Sequence, residues 1–242
     1  MNLYEKYHLK RRLQKRVIAD NDFTYRSILF FLHKYGMKSK NVLDIGCGVG
    51  TTSLYLGSKG KNVLGIDISK SGILVAKQNA EKLNLGKFVK FQVLDFPNKL
   101  PEIKFDLVIC SEVLEHLIND KDAVFQIKNL LNKNGIAIAS SPSQNAPLYK
   151  LRLLNNFDKE VGHIRRYNKE NFNNLFKSVG FKVLETKKTE GILRNFLFTN
   201  SFGGFLLRIL NKRPFSVLVT FIDNLTVPLF GESDIYLIAQ KK

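Results

Sequence analysis

The sequence predicts an α/β protein built as a doubly wound, mainly parallel sheet with helices on both faces. Three observations predict it. From Asn41 onward, short apolar runs rich in Val and Ile alternate with segments of helical period; the first run ends in a glycine-rich turn; and acids stand at the ends of successive runs. At 242 residues and 44% hydrophobic composition, the chain can bury a substantial core as one domain.

The elements follow in order. Leu3 to Ala19 reads as a basic amphipathic helix carrying Lys6, Lys10, Arg11, Arg12, Lys15 and Arg16. Asn21 or Asp22 can cap a second helix, which runs through SILFFLHKY and stops at Gly36. The alternating region begins with the strand NVLDI and a helix from about Thr51. Next are the strand NVLGID and a helix opened by Ser69 that ends near Gly86. KFVKFQVLD, FDLVICS, a helix near Ala123 to Leu131, and GIAIASS complete five strands separated mostly by helices, the pattern of right-handed parallel crossovers.

After Pro142 the rhythm changes to a polar, less regular stretch that reaches Tyr167. Asn168 then caps a helix that stops at Gly180, and FKVLETKKT and SDIYLIAQKK read as two more strands. Between these strands lies an apolar segment, residues 191 to 231, which Gly203, Gly204 and Pro214 are expected to divide into short helices. Arg208, Lys212, Arg213 and Pro214 interrupt it, so it is not a bilayer span.

The formal charge of +17 sits on the flanks. Residues 1 to 40 carry 10 Lys+Arg against 3 acids and residues 142 to 242 carry 16 against 8, whereas residues 41 to 141 carry 12 against 10. The flanks therefore suit an anionic partner such as a lipid head group, a phosphorylated molecule or RNA, or else form a solvated lysine-rich surface. Cys47 and Cys110 lack metal-ligand spacing and no leader-like run is apparent, so a reducing, cytoplasmic setting is expected.

The stretch NVLDIGCGVGTT carries the first chemistry. Gly46, Gly48 and Gly50 let a ligand approach the backbone, but Thr51 stands where a dinucleotide turn requires Gly or Ala. Asp44, at the end of the first strand, repels a pyrophosphate and favours a cationic ligand bearing an ammonium or sulfonium group. S-adenosylmethionine carries both. Asp67, at the end of the second strand, can accept hydrogen bonds from both hydroxyls of a ribose. Asp95 and Phe96, after the third, can meet an adenine amino group and cover its ring.

With these residues the chain resembles the class I S-adenosylmethionine-dependent methyltransferases over about Lys40 to Thr189 and Ser233 to Lys242. VLDIGCGVG is similar to their first motif, GIDIS to the ribose-binding acid, LDF to the adenine contact and FDLVICSEVLEHL to the fourth-strand motif. GHIRRYNKENFNNLFKSVGFKV is similar to the last helix and strand of small-molecule members, including ubiquinone-biosynthesis types. The resemblance implies a seven-stranded sheet whose last strand runs antiparallel between strands five and six. It implies S-adenosylmethionine as cofactor, held by Asp44, Gly46, Cys47, Gly48, Asp67, Ile68, Asp95, Phe96 and by Ser111 or Glu112. The chain as a whole is expected to form one methyltransferase domain over residues 1–242: basic helices at 1–37, a cofactor-binding core at 38–190, an apolar helical insert at 191–231, which departs from the compact family pattern, and the final strand at 232–242.

Methyl transfer from a sulfonium is an in-line displacement in which the protein aligns the nucleophile and excludes water. A base is needed only when the nucleophile keeps its proton, as a hydroxyl does. His163, in the stretch expected to arch over the pocket, is the candidate base or acceptor contact, and Arg165 and Arg166 are candidates for an anionic group on the acceptor. Glu112, Glu115 and His116 form E-x-x-E-H after the fourth strand. Some quinone-pathway relatives are associated with a divalent ion at the equivalent residues, but acids that cap and solvate the first turn of a helix are the favoured reading, and no metal is assigned.

The reading is thus of an enzyme that methylates an oxygen, or else a nitrogen or carbon, of a small acceptor, lipophilic or glycan-linked. The apolar insert suits a roof over that acceptor, a dimer interface, or contact with an anionic membrane surface together with the basic N-terminus. The alternatives are an RNA methyltransferase, disfavoured because CSEV replaces the Asn/Asp-Pro-Pro-aromatic signature and no RNA-binding motif is present, and a non-catalytic, membrane-associated protein that binds S-adenosylmethionine. The acceptor and the oligomeric state stay open.

Overall fold

The structure, a computed structural model, describes Glu5 and residues 13–242 except Asn200 and Arg213. The basic helix expected over Leu3 to Ala19 falls largely outside these residues, and its described end, residues 13–19, is not helical. Tertiary contacts replace the helix there. The Gln14 backbone N–H donates to Asn79 Oδ1 at 2.8 Å and its side-chain amide to Thr51 Oγ1 at 3.2 Å, while Val17 and Ile18 pack on the core. The next helix forms as expected but starts later, as α1 (Arg26–Phe31) continuing into a π-turn to Gly36. Asp22 Oδ1 accepts from the Thr24 and Tyr25 N–H groups just ahead of it.

Seven strands form one sheet in the order β3-β2-β1-β4-β5-β7-β6. They are β1 (Asn41–Ile45), β2 (Asn62–Asp67), β3 (Val89–Val93), β4 (Phe105–Ser111), β5 (Leu131–Pro142), β6 (Phe181–Thr189) and β7 (Asp234–Lys241). β1 to β5 pair in parallel, and β7 runs antiparallel to both β5 and β6, as expected. Because side chains alternate across a strand, Leu43 and Val108 enter a core with the helices α4 (Asp120–Leu130) and α7 (Lys169–Ser178). Val42 and Leu107 enter another with α1, α2 (Thr51–Ser58) and α3 (Lys70–Lys82). Full burial on both faces explains why these strands read as continuous apolar runs. Side-chain caps stand where the sequence puts them, Ser69 Oγ accepting from Gly72 N–H and Asn168 Oδ1 from Asn171 N–H.

Two segments differ from expectation. The stretch between β5 and Tyr167 holds two short helices, α5 (Pro147–Lys150) and α6 (Asn155–Val161), the second ended by Gly162 in the left-handed region. The insert divides into α8 (Ile192–Thr199), α9 (Ser201–Leu210) and α10 (Phe215–Phe230), so the break falls at Pro214 as expected, but Gly203 and Gly204 lie inside α9. Gly203 serves close packing instead, since a Cβ there would fall 2.4 Å from the Leu197 carbonyl oxygen of α8. Among the described residues no helix is long and apolar enough to cross a membrane.

Candidate active site

The carboxyl ends of β1, β2, β4 and β6 open along one edge of the sheet, where the insert and the arch after β5 close over a cavity of about 830 Å³. The glycine turn after β1 forms its floor. Gly46 has φ +70°, and a Cβ there would lie 2.3 Å from Val113 Cγ2, so only glycine fits beside the β4 turn. The Gly46 and Cys47 N–H groups donate to the Ile66 carbonyl at 2.8 and 3.0 Å, tying this turn to β2. Asp67 reinforces the tie. Its Oδ2 accepts from Gly48 N–H and its Oδ1 from Ser69 N–H, each at 2.8 Å, leaving further lone pairs on both oxygens for a ligand.

Of the expected cofactor contacts, Gly46, Gly48, Asp67, Ile68, Asp95, Phe96, Ser111 and Glu112 line the cavity, and so does His163. Asp44 and Cys47 do not. The pleat turns Asp44 under the glycine turn, where it is buried and accepts from Ser53 Oγ of α2. Burial, with Asp67 nearby, pushes the Asp44 carboxyl up to about 6. Cys47 packs on the core shared by α2 and α3, its sulfur so close to Gly65 that a Cβ there would meet it at 2.9 Å.

The E-x-x-E-H segment is not a helix with solvated acids. Glu112 has φ +57°, and only Leu114–His116 form a 3₁₀ turn. Glu112 opens into the cavity and accepts from Ser140 Oγ at 2.8 Å; Ser140 in turn is 2.7 Å from Ser111 Oγ, which gives a chain of hydroxyls leading to the carboxylate. Glu115 is fully buried beneath it. Its Oε2 accepts from Ser141 Oγ at 3.0 Å, its Oε1 has no hydrogen-bond partner among the described residues, and burial pushes its carboxyl up to about 8.

The arch brings His163 to this acid. His163 Nε2 and His116 Nε2 each lie 3.9 Å from Glu115 Oε1, with ring centroids 4.9 Å apart. His163 Nδ1 is 3.0 Å from Asp158 Oδ1, and His116 Nδ1 is 3.0 Å from the Gly162 carbonyl. A carbonyl only accepts, so His116 carries its proton on Nδ1. Burial opposes ionisation of Asp158, but hydrogen bonds from His163 and Arg166 hold its carboxyl below the usual range, so His163 also donates from Nδ1. His163 Nε2 is then the ring nitrogen on the Glu115 side. Arg165 and Arg166 are not available for an anionic acceptor: Arg165 pairs with Asp120, and Arg166 grips Asp158 through Nε at 2.9 Å.

The far wall was not legible as a site from the sequence. Thr24, Tyr25 and Ile28 reach it from the N-terminal segment, Phe157 and Glu160 from α6, and Asn195, Phe198 and Leu207 from the insert. Glu190 did carry a signal, an acid at the end of β6 like those at the ends of β1 and β2. It is buried, adopts φ +60° and lies 3.1 Å from Arg194 Nε. Burial opposes its charge, but Arg194 and Arg26 hold its carboxyl below the usual range, whereas burial beside Glu112 and Glu190 raises Asp234.

Comparison with known proteins agrees with this geometry. A family model described as a methyltransferase domain matches residues 9–186. A ubiquinone biosynthesis O-methyltransferase of Glaesserella parasuis is 37% identical over 123 residues, covering 49% of this chain and 52% of the relative. The chain spans about half the length of the curated relatives it matches. Among solved structures, phosphoethanolamine N-methyltransferase 2 of Haemonchus contortus in complex with S-adenosyl-L-methionine superposes with a TM-score of 0.65 at 17% identity, over 90% of this chain and 52% of that one. The [4+2]-cyclase SpnF superposes with a TM-score of 0.64 at 16% identity, over 99% and 92% of the two chains. A cyclase on the same frame means that the fold alone does not decide the chemistry. The family model matches across most of the sheet, and the chain belongs to the methyltransferase-domain family.

Proposed function

We propose that the protein transfers the methyl group of S-adenosylmethionine to a hydroxyl oxygen of a small, lipophilic acceptor. The observation that carries this reading is His163, which lines the cavity with Nδ1 committed to Asp158 and Nε2 3.9 Å from Glu115 Oε1. A nitrogen acceptor that is already neutral has no use for such a group, whereas a hydroxyl must lose its proton as it attacks. The name of the Glaesserella parasuis relative, an O-methyltransferase, supports the same choice.

The lining residues fit the donor. Asp67 retains lone pairs for ribose hydroxyls, Ile68 and Phe96 offer apolar faces to an adenine, and the glycine turn lets the amino acid end lie against the backbone. Asp44, directly beneath, supplies negative potential to a cationic ligand without touching it. The acceptor's oxygen attacks the methyl carbon in line; the C–O bond forms as the C–S bond breaks, the electron pair goes to sulfur, and the hydroxyl proton goes to His163 Nε2. Burial by the arch and the insert keeps competing water out.

The insert supports a lipophilic acceptor. Phe198 and Leu207 face the cavity, while the outer side of α10 exposes Val217, Leu218, Phe221, Ile222, Leu225 and Leu229. The single acid of residues 191 to 231, Asp223, is buried against Arg26, so the ionised groups left on that surface are cations, including the exposed Lys212. A second copy would oppose like charges, whereas an anionic lipid surface would meet both the apolar side chains and the cations. The insert therefore rests on a membrane surface and collects its acceptor there.

Incubating the protein with methyl-labelled donor and whole-cell extract tests this function. Label in the lipid or small-molecule fraction supports it; label in RNA, or none, overturns it.

A further inference from the structure

Two arginines line the cavity, and they are engaged very differently. Arg166 uses all three of its nitrogens: Nε and one terminal nitrogen donate to Asp158, and the other donates to the Ser143 carbonyl. Arg194, on α8 and largely buried, donates no side-chain hydrogen bond among the described residues. Its Nε lies 3.1 Å from Glu190 Oε2, yet neither of these buried atoms makes a hydrogen bond, so the N–H does not lie along that line. A buried guanidinium with its five N–H donors unmet calls for a ligand.

The surrounding residues hold Arg194 in place. Asp223 accepts from the Gly191 and Arg194 backbone N–H groups at 2.8 and 3.0 Å and pairs with Arg26, which fixes the start of α8. The guanidinium stacks on the ring of Phe198, one turn further along α8, and Phe198 also lines the cavity. Asn195, beside them in the lining, accepts at Oδ1 from the Leu148 N–H at 3.1 Å, so its amide NH2 is the end left to donate. Burial opposes ionisation of Glu190, but Arg194 and Arg26 keep it charged. Burial, with acidic neighbours, raises Glu112 to about 8 and Asp234 well above the carboxylate range, so at pH 7 both hold protons and can donate.

The charges limit what can enter. Arg26 and Arg194 balance Asp223 and Glu190, so this wall accepts one negative charge; a second would face Glu190 with no cation to meet it. We infer that Arg194 anchors a singly charged oxyanion on the acceptor, two oxygens sharing one charge as in a carboxylate or a phosphodiester, gripped by the guanidinium fork. Paired, charge-assisted hydrogen bonds of this kind are about twice as strong as neutral ones and fix orientation. Arg194 thus takes the part that Arg165 and Arg166 cannot, and it lies on the insert, beyond residue 186 where the family match ends. The inference rests on the proposed transfer to a small, lipophilic acceptor: Phe198 and Leu207 meet the apolar body of that molecule and Arg194 its charge.

The test uses the full chain saturated with S-adenosylhomocysteine and titrated by calorimetry at pH 7 with octanoate, dibutyl phosphate and the uncharged octanamide. Octanoate or dibutyl phosphate should bind about tenfold more tightly than octanamide, and whichever does so names the oxyanion. Arg194→Met, which keeps the length and the contact with Phe198, should erase that preference, and Arg194→Lys, which keeps the charge without the fork, should restore part of it. Unchanged affinity for S-adenosylhomocysteine and an unchanged melting temperature would show that both variants are folded. Equal or absent binding of the three probes, or a preference that survives in Arg194→Met, overturns the inference. With labelled donor and extract, the methylated product should elute from an anion exchanger at pH 7 as a monoanion, and Arg194→Met should raise the acceptor KM about tenfold with kcat little changed. An uncharged or doubly charged methoxy product overturns the anchor and leaves transfer to oxygen standing. A monoanionic, Arg194-dependent product methylated on nitrogen keeps the anchor and removes the oxygen reading.

Discussion

His163 Nδ1 lies 3.0 Å from Asp158 Oδ1, and this one contact leaves Nε2 as the nitrogen turned towards Glu115. Asp158 lies on α6, five residues before His163, and Arg166 holds it from the other side, so the arch carries its own orienting group. Asp158→Asn keeps the shape but presents an amide that can donate, allowing the ring to invert its tautomer. The turnover rate is expected to fall by up to the roughly 10²–10⁴-fold that a positioned general base supplies, with little change in donor affinity. Steady-state kinetics beside calorimetry with S-adenosylhomocysteine check this; a loss confined to KM for the donor would contradict it.

Asp67 both braces the glycine turn and faces the donor's ribose site. Asp67→Ala removes a charged acceptor and leaves the Gly48 N–H without its partner, a combined cost of about 2–3 kcal/mol. Donor affinity should drop by roughly 30- to 150-fold at 25 °C. Calorimetry of S-adenosylhomocysteine binding measures it directly.

Asp44 trades stability for binding. Its folded carboxyl titrates near 6 against 3.8 for the free group, because burial disfavours the charge. At pH below about 4 both folded and unfolded forms are protonated and there is no penalty; as pH rises from 4 to 6 the unfolded chain releases its proton first, so stability falls, and the full penalty stands above 6. The gap corresponds to the order of 2–3 kcal/mol. Asp44→Asn is therefore expected to raise the melting temperature of the ligand-free protein at pH 7 by several degrees and to weaken donor binding. In the unsubstituted protein, donor affinity should fall as pH drops through about 6, when the carboxylate that attracts the sulfonium becomes neutral.

The cofactor half of the cavity was legible because its signals are local. Gly46, Gly48, Asp67 and Phe96 sit at strand ends within a few residues of the run that identifies each strand, and backbone geometry places a strand-end residue at the cavity with little help from the rest of the chain. Asp44 shows the limit of that reasoning, since one step of the pleat turned it under the turn. The acceptor half depends on pairs far apart in sequence, such as His163 with Glu115 and Glu190 with Arg26, which no periodicity reveals. Gly203 and Gly204 misled for a related reason: helix-breaking propensity yielded to tight packing of α9 on α8.

The exposed face of α10 should bind lipid. Phe221 and Leu225 are 62% and 54% exposed, so Phe221→Ser with Leu225→Ser is expected to leave stability within about 0.5 kcal/mol per site while reducing co-sedimentation with phosphatidylglycerol vesicles several-fold. Binding should weaken further in high salt and be absent with neutral phosphatidylcholine vesicles. A change of oligomeric state in the double variant, with vesicle binding intact, would assign the face to a second copy.

The central claim, methyl transfer to oxygen, is tested most directly by the carbon the methyl group ends on. Protein incubated with ¹³C-methyl S-adenosylmethionine and a lipid and small-molecule extract should yield a product whose labelled carbon resonates in the methoxy region of the ¹³C NMR spectrum, and His163→Gln should abolish that signal. A labelled carbon in the N-methyl or C-methyl region, or a methoxy signal undiminished in His163→Gln, would contradict the account.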